Sequence, residues 1–170
     1  ATHLANISAQ VAAGGSTLNL AAKDGSGTSD TATIVASLGT TSGTLTIDDA
    51  ATNGALEHLD LTVSGNASQT VAIGTGDFDG TATYDGSITI AGGAAARTLT
   101  ITNALTADVI DLSGVASNLT VTLGTADIDY TGGAGRDTIT MGTTLTSADS
   151  IDGGDDARDI LSITPTVSSL

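Results

Sequence analysis

Short apolar stretches recur along the chain, and each is bounded by residues that favour turns. Val, Ile, Leu and Thr alternate with polar residues inside these stretches, whereas Gly, Asp, Ser and Asn separate them. Alternation with a period of two indicates a β-strand that buries one face. Residues 52–58 also fit a single helical turn. The pattern predicts strands at residues 31–36, 43–47, 59–63, 70–73, 87–90, 98–102, 109–112, 119–123 and 138–141.

The spacing of these strands fits two all-β architectures, a sandwich and a solenoid. The solenoid is favoured because Asn53-Gly54 is the only Asn-Gly hairpin signal, and because small aliphatic core residues can stack from coil to coil. At about 20 residues per coil, the chain would form roughly eight coils. We therefore predict an all-β fold, a right-handed parallel β-solenoid or β-roll with glycine-rich turns. A β-sandwich in the N-terminal part, joined to a short β-roll, is the alternative.

Acidic residues dominate the charged positions. The chain has 19 Asp and Glu against four Lys and Arg, a formal net charge of −15, and Glu57 is its only Glu. Asp favours turns and holds its carboxylate close to the backbone, which points to acidic turns that bind Ca²⁺. The same charge excludes nucleic acid as a partner, because phosphate binding needs a basic surface. No apolar run reaches membrane-spanning length, so membrane insertion is not expected.

Large apolar side chains are scarce, since aromatic residues make up 2% of the chain and Trp is absent. High net charge combined with few large apolar residues favours disorder in the absence of metal. Each Ca²⁺ contributes two positive charges, so roughly seven ions would neutralise the chain. We therefore expect several Ca²⁺ ions, whose binding energy is also folding energy.

The clearest motif is Gly-Gly-Ala-Gly-Arg-Asp-Thr-Ile-Thr, which starts at Gly132. It matches the calcium-binding repeat G-G-x-G-x-D-x-U-x, in which U is a large apolar residue. Gly132, Gly133 and Gly135 allow a tight turn with inward carbonyl groups, and the Asp137 carboxylate closes the site. Ile139 then enters the core from a short strand. Calcium in such a repeat lies between successive turns and takes oxygen ligands from both.

An altered second copy of this motif occupies residues 152–161, Asp-Gly-Gly-Asp-Asp-Ala-Arg-Asp-Ile-Leu. Asp156 replaces the third glycine, and Asp159 comes one residue late. The intervening residues, 141–150, can complete one coil, which would place the second loop above the first. Either Asp155 or Asp156 can replace a backbone carbonyl as a ligand. The candidate ligands of this copy are Asp152, Gly154, Asp155, Asp156 and Asp159.

Other aspartates near glycine turns are candidate ligands as well. Asp127 and Asp129 precede the first loop and can complete its site from a neighbouring coil. Two further segments resemble fragments of calcium loops without fitting the EF-hand pattern; their candidates are Asp24, Asp30, Asp77 and Asp79. The competing role for all of these residues is turn capping or solvated charge. That role is the one we assign to Asp48, Asp49, Asp85, Asp108 and Asp111.

Through its G-G-x-G-x-D loop the chain resembles the RTX calcium-binding family of secreted bacterial proteins. The chain is also similar to the RTX-type surface-layer (S-layer) proteins of Gram-negative bacteria in its Thr-, Ala- and Gly-rich composition and in the segment at residues 55–63. The resemblance implies a β-solenoid, calcium-dependent folding, type I secretion and assembly into a lattice at the bacterial cell surface. We accordingly divide the chain into an irregular β-solenoid segment (residues 1–125) and an RTX-like calcium-binding β-roll segment (residues 126–170).

The resemblance also implies partners. Copies of the chain would associate with one another through calcium, and other regions of the parent protein would contact cell-surface polysaccharide. The sequence starts and stops abruptly, and we expect it to be a fragment of a longer protein.

Motifs that carry catalysis are missing from the sequence. His3 and His58 are the only histidines, no H-E-x-x-H occurs, and there is neither a G-x-S-x-G elbow nor a Cys nucleophile. A glycosidase would need carboxylate pairs built from aspartates that stand in glycine loops typical of metal sites. We therefore expect a structural role and no enzymatic activity.

Recurring Thr-x-Thr pairs suggest a second class of function. Residues i and i+2 of a strand share a face, so aligned pairs would form a flat Thr array, as in ice-binding solenoids. Thr also favours strands in general, and the irregular spacing between pairs supports that simpler explanation. A calcium-dependent adhesin module, including an ice-binding one, is the alternative function. The pairs are Thr31/Thr33, Thr44/Thr46, Thr81/Thr83, Thr98/Thr100/Thr102, Thr120/Thr122 and Thr138/Thr140.

Overall fold

Two parallel β-sheets make up most of the computed structural model. The structure describes residues 3–10, 16–20, 31–49, 57–74, 78, 80–81, 84–95, 97–143, 145–156 and 158–164. In these ranges every regular element is a strand, and no helix has the length and apolar character needed to cross a membrane. The predicted all-β class is confirmed.

Each sheet contains seven strands. Sheet A consists of β1 (His3–Gln10), β3 (Thr31–Ser37), β5 (His58–Ser64), β9 (Ser87–Gly92), β11 (Val109–Val115), β13 (Asp129–Thr131) and β15 (Ser150–Asp152). Sheet B consists of β2 (Ser16–Leu20), β4 (Thr44–Asp49), β6 (Gln69–Ile73), β10 (Thr98–Leu105), β12 (Asn118–Leu123), β14 (Thr138–Gly142) and β16 (Ile160–Ile163). A small antiparallel pair, β7 (Gly80–Thr81) and β8 (Tyr84–Asp85), stands apart from both.

The chain passes alternately through the two sheets, and each new strand pairs with the strand added to the same sheet one pass earlier. We refer to a sheet A strand and the sheet B strand that follows it as a coil. All twelve pairings within the two sheets are parallel. The antiparallel sandwich considered for the N-terminal part is therefore wrong for its described strands. This path is consistent with the predicted β-solenoid or β-roll.

Apolar side chains form ladders between the sheets, because equivalent positions of successive coils face inward. One ladder of sheet A runs through Leu59, Ile88, Ile110, Tyr130 and Ile151. Its counterpart in sheet B runs through Leu45, Val71, Ile101, Val121 and Ile139. All but the half-buried Ile151 are buried. Removing each such aliphatic side chain from water stabilises the fold by roughly 1.5–3 kcal/mol.

All nine predicted strands are confirmed, as β3 to β6, β9 to β12, and β14. The remaining strands were not predicted. β13 and β15 span only three residues each, too few to show alternation, and they form because neighbouring strands supply their hydrogen bonds. Of the possible helical turn at 52–58, residues 52–56 lie outside the described residues, and His58 begins β5.

Two stacks of connections join the sheets. The loop stack contains the connections from sheet A to sheet B, including residues 132–137 and 153–159, and the return stack contains those from sheet B to sheet A. Val109 pairs with Asp129 and Asp129 with Ser150, close to the predicted coil length of 20 residues. Both sheets continue across residue 125, so the division at 125/126 stays a prediction drawn from the motif.

Candidate calcium site

The first glycine loop is pressed against its neighbours in the stack. A Cβ atom at Gly135 would lie 2.5 Å from the Ser117 carbonyl oxygen and 2.6 Å from the Asn118 nitrogen, both in the preceding coil. A Cβ atom at Gly132 would collide with the backbone of Gly153, in the following coil. Glycine is therefore required here by the close approach of backbone on both sides.

The second loop lies directly on the first, as the sequence predicted. The Gly132 N–H donates to the Asp152 carbonyl at 2.8 Å, and the Asp155 N–H donates to the Gly133 carbonyl at 3.1 Å. The strands on either side keep their register, since Thr131 pairs with Asp152 and Thr138 with Ile160. Asp159 is thereby aligned with Asp137. The second loop is one residue longer than the first, and it contains this residue without moving Asp159 out of register.

Asp137 is fully buried and holds backbone from two coils. Its Oδ1 accepts a hydrogen bond from the Leu119 N–H at 2.8 Å, and its Oδ2 accepts one from the Gly133 N–H at 3.0 Å. The next coil repeats the first contact, because Asp159 Oδ1 accepts from the Asp137 N–H at 2.8 Å. The carboxylates of Asp137 and Asp159 thus follow each other along the stack.

The same contact recurs in the return stack. Asp108 Oδ2 accepts from the Gly86 N–H at 2.9 Å, and Asp149 Oδ1 accepts from the Ile128 N–H at 2.9 Å. In all four cases the aspartate directly precedes a strand and binds the residue at the equivalent position one coil earlier. Sequence reasoning missed this role as a repeated device. The signal was Asp-x-Ile or Asp-x-Leu, which starts at residues 108, 137, 149 and 159.

For Asp108 and Asp111 we predicted turn capping or solvated charge. Asp108 instead binds Gly86 one coil earlier, whereas turn capping is confirmed for Asp111. Asp111 Oδ1 accepts from both the N–H (3.0 Å) and the hydroxyl (2.6 Å) of Ser113. Asp48, Asp49 and Asp85 lie at the ends of β4 and β8.

Burial raises the pKa of the Asp137 carboxyl above its ordinary value. The N–H groups of Leu119 and Gly133 lower this pKa, and the negative charges of Asp159 and Asp156 raise it again. The net direction is upward, so the charged form of Asp137 is disfavoured by its surroundings. A cation held beside it would reverse that balance.

Tyr130 adds an unsatisfied polar atom to the same region. Its side chain is fully buried, and its hydroxyl is, with that of Thr106, one of the two buried side-chain polar atoms without a hydrogen-bond partner in the described part of the chain. Burial raises the pKa of the Tyr130 phenol, and the charges of Asp137 and Asp159 raise it further. An orphaned hydroxyl in the buried region that also holds the Asp137 carboxylate fits a site that receives a cation or a water molecule.

A cleft of about 160 Å³ opens on the outer side of the two loops. Asp152 and Asp155 are exposed there, and Asp152 Oδ1 accepts from the Gly154 N–H at 3.0 Å. Gly154 adopts a φ of +97°, which favours glycine. The cleft is lined by Ser113, Thr131, Gly132, Gly133, Asp152, Gly154 and Asp155.

Two of the other predicted ligands lie outside these loops, and Asp156 lies within the second loop but is paired with an arginine. Asp127 lies in the return stack, and Asp129 is exposed at the start of β13. Asp156 pairs with Arg158 at 2.8 Å, and that hydrogen bond holds the pKa of Asp156 below its ordinary value. Four further candidates lie outside the described residues: Asp24, Asp30, Asp77 and Asp79.

The donors present fit calcium better than a softer metal. No cluster of three or more His, Cys, Asp or Glu side chains occurs among the residues that the structure describes. Asp137 and Asp159, together with glycine-turn carbonyl groups, supply oxygen atoms only, which suits a hard cation such as Ca²⁺. An ion here would draw much of its coordination from backbone.

Gly135→Ala is expected to lower the free energy of unfolding by about 1–3 kcal/mol, because the new methyl group meets backbone that cannot move independently. Gly142→Ala is the matched control: Gly142 has a φ of +60°, and no neighbouring atom lies within 4 Å of an added Cβ. In the control, the free energy of unfolding falls by roughly 1–2 kcal/mol, because alanine is strained in the left-handed backbone conformation. Urea unfolding in excess calcium measures both, and a Gly135→Ala protein more stable than Gly142→Ala would contradict the packing described.

Comparisons with known proteins identify no relative of this chain. No protein-family model, no curated protein and no solved structure matches it. Function must therefore be argued from the stacked loops themselves.

Proposed function

We propose that this chain is a structural, non-enzymatic segment of a secreted bacterial S-layer protein, a right-handed parallel β-solenoid that folds and self-assembles with calcium. The observation that carries the proposal is the stacking of two glycine–aspartate loops, with Asp137 and Asp159 aligned one coil apart. This is the arrangement in which a repeat of the G-G-x-G-x-D type supplies calcium ligands from successive turns.

Calcium would be held by the carboxylates of Asp137 and Asp159 and by carbonyl groups of the two loops. When bound, the ion would supply positive charge that offsets the burial of the Asp137 carboxylate. The chain's own contribution is to fix both aspartates through backbone hydrogen bonds, at Leu119, Gly133 and Asp137.

The distribution of charge supports calcium-mediated association between copies. Asp60, Asp111 and Asp152 occupy one row on the outer face of sheet A, separated by Thr89 and Thr131. With a net charge of −15, two such faces repel each other unless cations lie between them. Divalent ions would bridge these faces at the cell surface. This use of calcium is separate from its role inside the loops.

Removal of calcium is expected to unfold the chain, because charge repulsion and a small apolar core favour disorder without metal. Circular dichroism should show β-structure in millimolar Ca²⁺ and its loss with a chelator. Mg²⁺ at the same concentration is the control, since it demands tighter octahedral geometry. A chain equally folded with and without chelator would disprove the proposal.

Calcium is also expected to drive ordered assembly. Electron microscopy should show two-dimensional or filamentous arrays after Ca²⁺ is added to the chain. A monomer that instead binds a separate target would support the adhesin alternative and count against the S-layer proposal.

One observation favours a second candidate, an ice-binding adhesin module. Threonines of successive strands form an in-register row on the outer face of sheet B. Their spacing in the sequence is irregular because the connections between the strands differ in length. The described outer positions of β6, β10, β12 and β14 near this row carry no charge. The row consists of Thr44, Thr70, Thr100, Thr120 and Thr138.

We expect no thermal hysteresis if the chain serves an S-layer. Hysteresis that is present in the wild type, lost in Thr120→Asp and retained in Thr62→Asp would establish the ice-binding candidate instead. Thr62 is the matched control because it is exposed on the outer face of sheet A.

A further inference from the structure

Tyr130 occupies a position that packing alone does not explain. It lies on β13, in the inward ladder of sheet A, and its neighbours in that ladder are Ile110 and Ile151. The ladder is otherwise aliphatic, and the chain has only two tyrosines. The phenol therefore places a polar atom where the other coils place methyl groups.

The Tyr130 hydroxyl is fully buried without a partner. Leaving such a group unpaired destabilises the folded state, because its lost hydration is not replaced. Buried polar atoms in native proteins are nearly always satisfied by protein, by water or by a bound ion. The hydroxyl thus points to a ligand or a water molecule in its vicinity.

The Asp137 carboxylate lies next to the end of β13, because its Oδ2 is 3.0 Å from the position of a Cβ atom at Gly132, two residues after Tyr130. Asp137 uses its two oxygens to accept one backbone N–H each. An ionised carboxylate has about four acceptor positions, so roughly half of its capacity is still available. Unused acceptor capacity and an unused hydroxyl are therefore both buried where β13 enters the first loop.

We infer that Tyr130 is part of the calcium site, where its hydroxyl binds a water molecule in the coordination sphere of the ion. The ion then lies on the core side of the loops, near Asp137 and Asp159. The outer cleft beside Asp152 and Asp155 is not its position. This inference rests on the proposed function, because it assigns a location and an additional residue to the same calcium.

Tyr130→Phe tests the inference, because it removes only the hydroxyl. Loss of a group that orients the coordination sphere typically weakens metal binding by 10–100-fold, and we expect about tenfold weaker Ca²⁺ affinity by isothermal titration calorimetry. Tyr84→Phe is the matched control, since Tyr84 lies in the separate β7–β8 pair. Its affinity should equal that of the wild type. Equal affinity for wild type and Tyr130→Phe would overturn the inference.

Terbium luminescence gives a second readout that does not depend on the Tyr130 variant. Tb³⁺ replaces Ca²⁺ and emits when a nearby aromatic side chain is excited, and the chain has no Trp. Tyr84→Phe leaves Tyr130 as the only tyrosine, so sensitised emission from this variant is expected and its absence would overturn the inference. A wild type that binds neither Ca²⁺ nor Tb³⁺ would instead disprove the proposed function.

Discussion

Backbone hydrogen bonding from one coil to the next, at a strand spacing of about 4.8 Å, is the constraint on which the whole molecule depends. Strands within a sheet form these hydrogen bonds with backbone alone. Turns form them only in part, because their N–H groups point in varied directions. Aspartate solves this at the four strand starts where it accepts an N–H from the preceding coil. Asp suits this contact because its short side chain holds the carboxylate close to the backbone.

The same device creates the electrostatic problem that calcium would resolve. Stacking aspartates one coil apart places like charges in a row, and burial of Asp137 adds a desolvation penalty that raises its pKa. Backbone donors offset part of this penalty. Under the proposed function, a divalent cation between the loops would offset more, and mechanical support and metal binding would be two uses of one side chain.

Strands with clear alternation were predictable from the sequence, as was the position of the second loop above the first. β13 and β15 were not, because three residues carry no periodicity and their pairing depends on strands far away in sequence. The Thr row of sheet B could not be recognised in the sequence either, because connections of unequal length separate its members and only strand pairing brings them into register. At the site, the motif identified Asp137 and Asp159, whereas the contribution of Tyr130 depends on which face of a short strand is buried.

The β7–β8 pair shows how freely this architecture accepts additional chain. It stands between β6 and β9, yet β5 still pairs with β9 and β6 with β10. Inserted residues at this connection leave both sheets uninterrupted. The fold thus provides a natural graft position, where an epitope or enzyme could be displayed outward while the stacked scaffold beneath it stays intact.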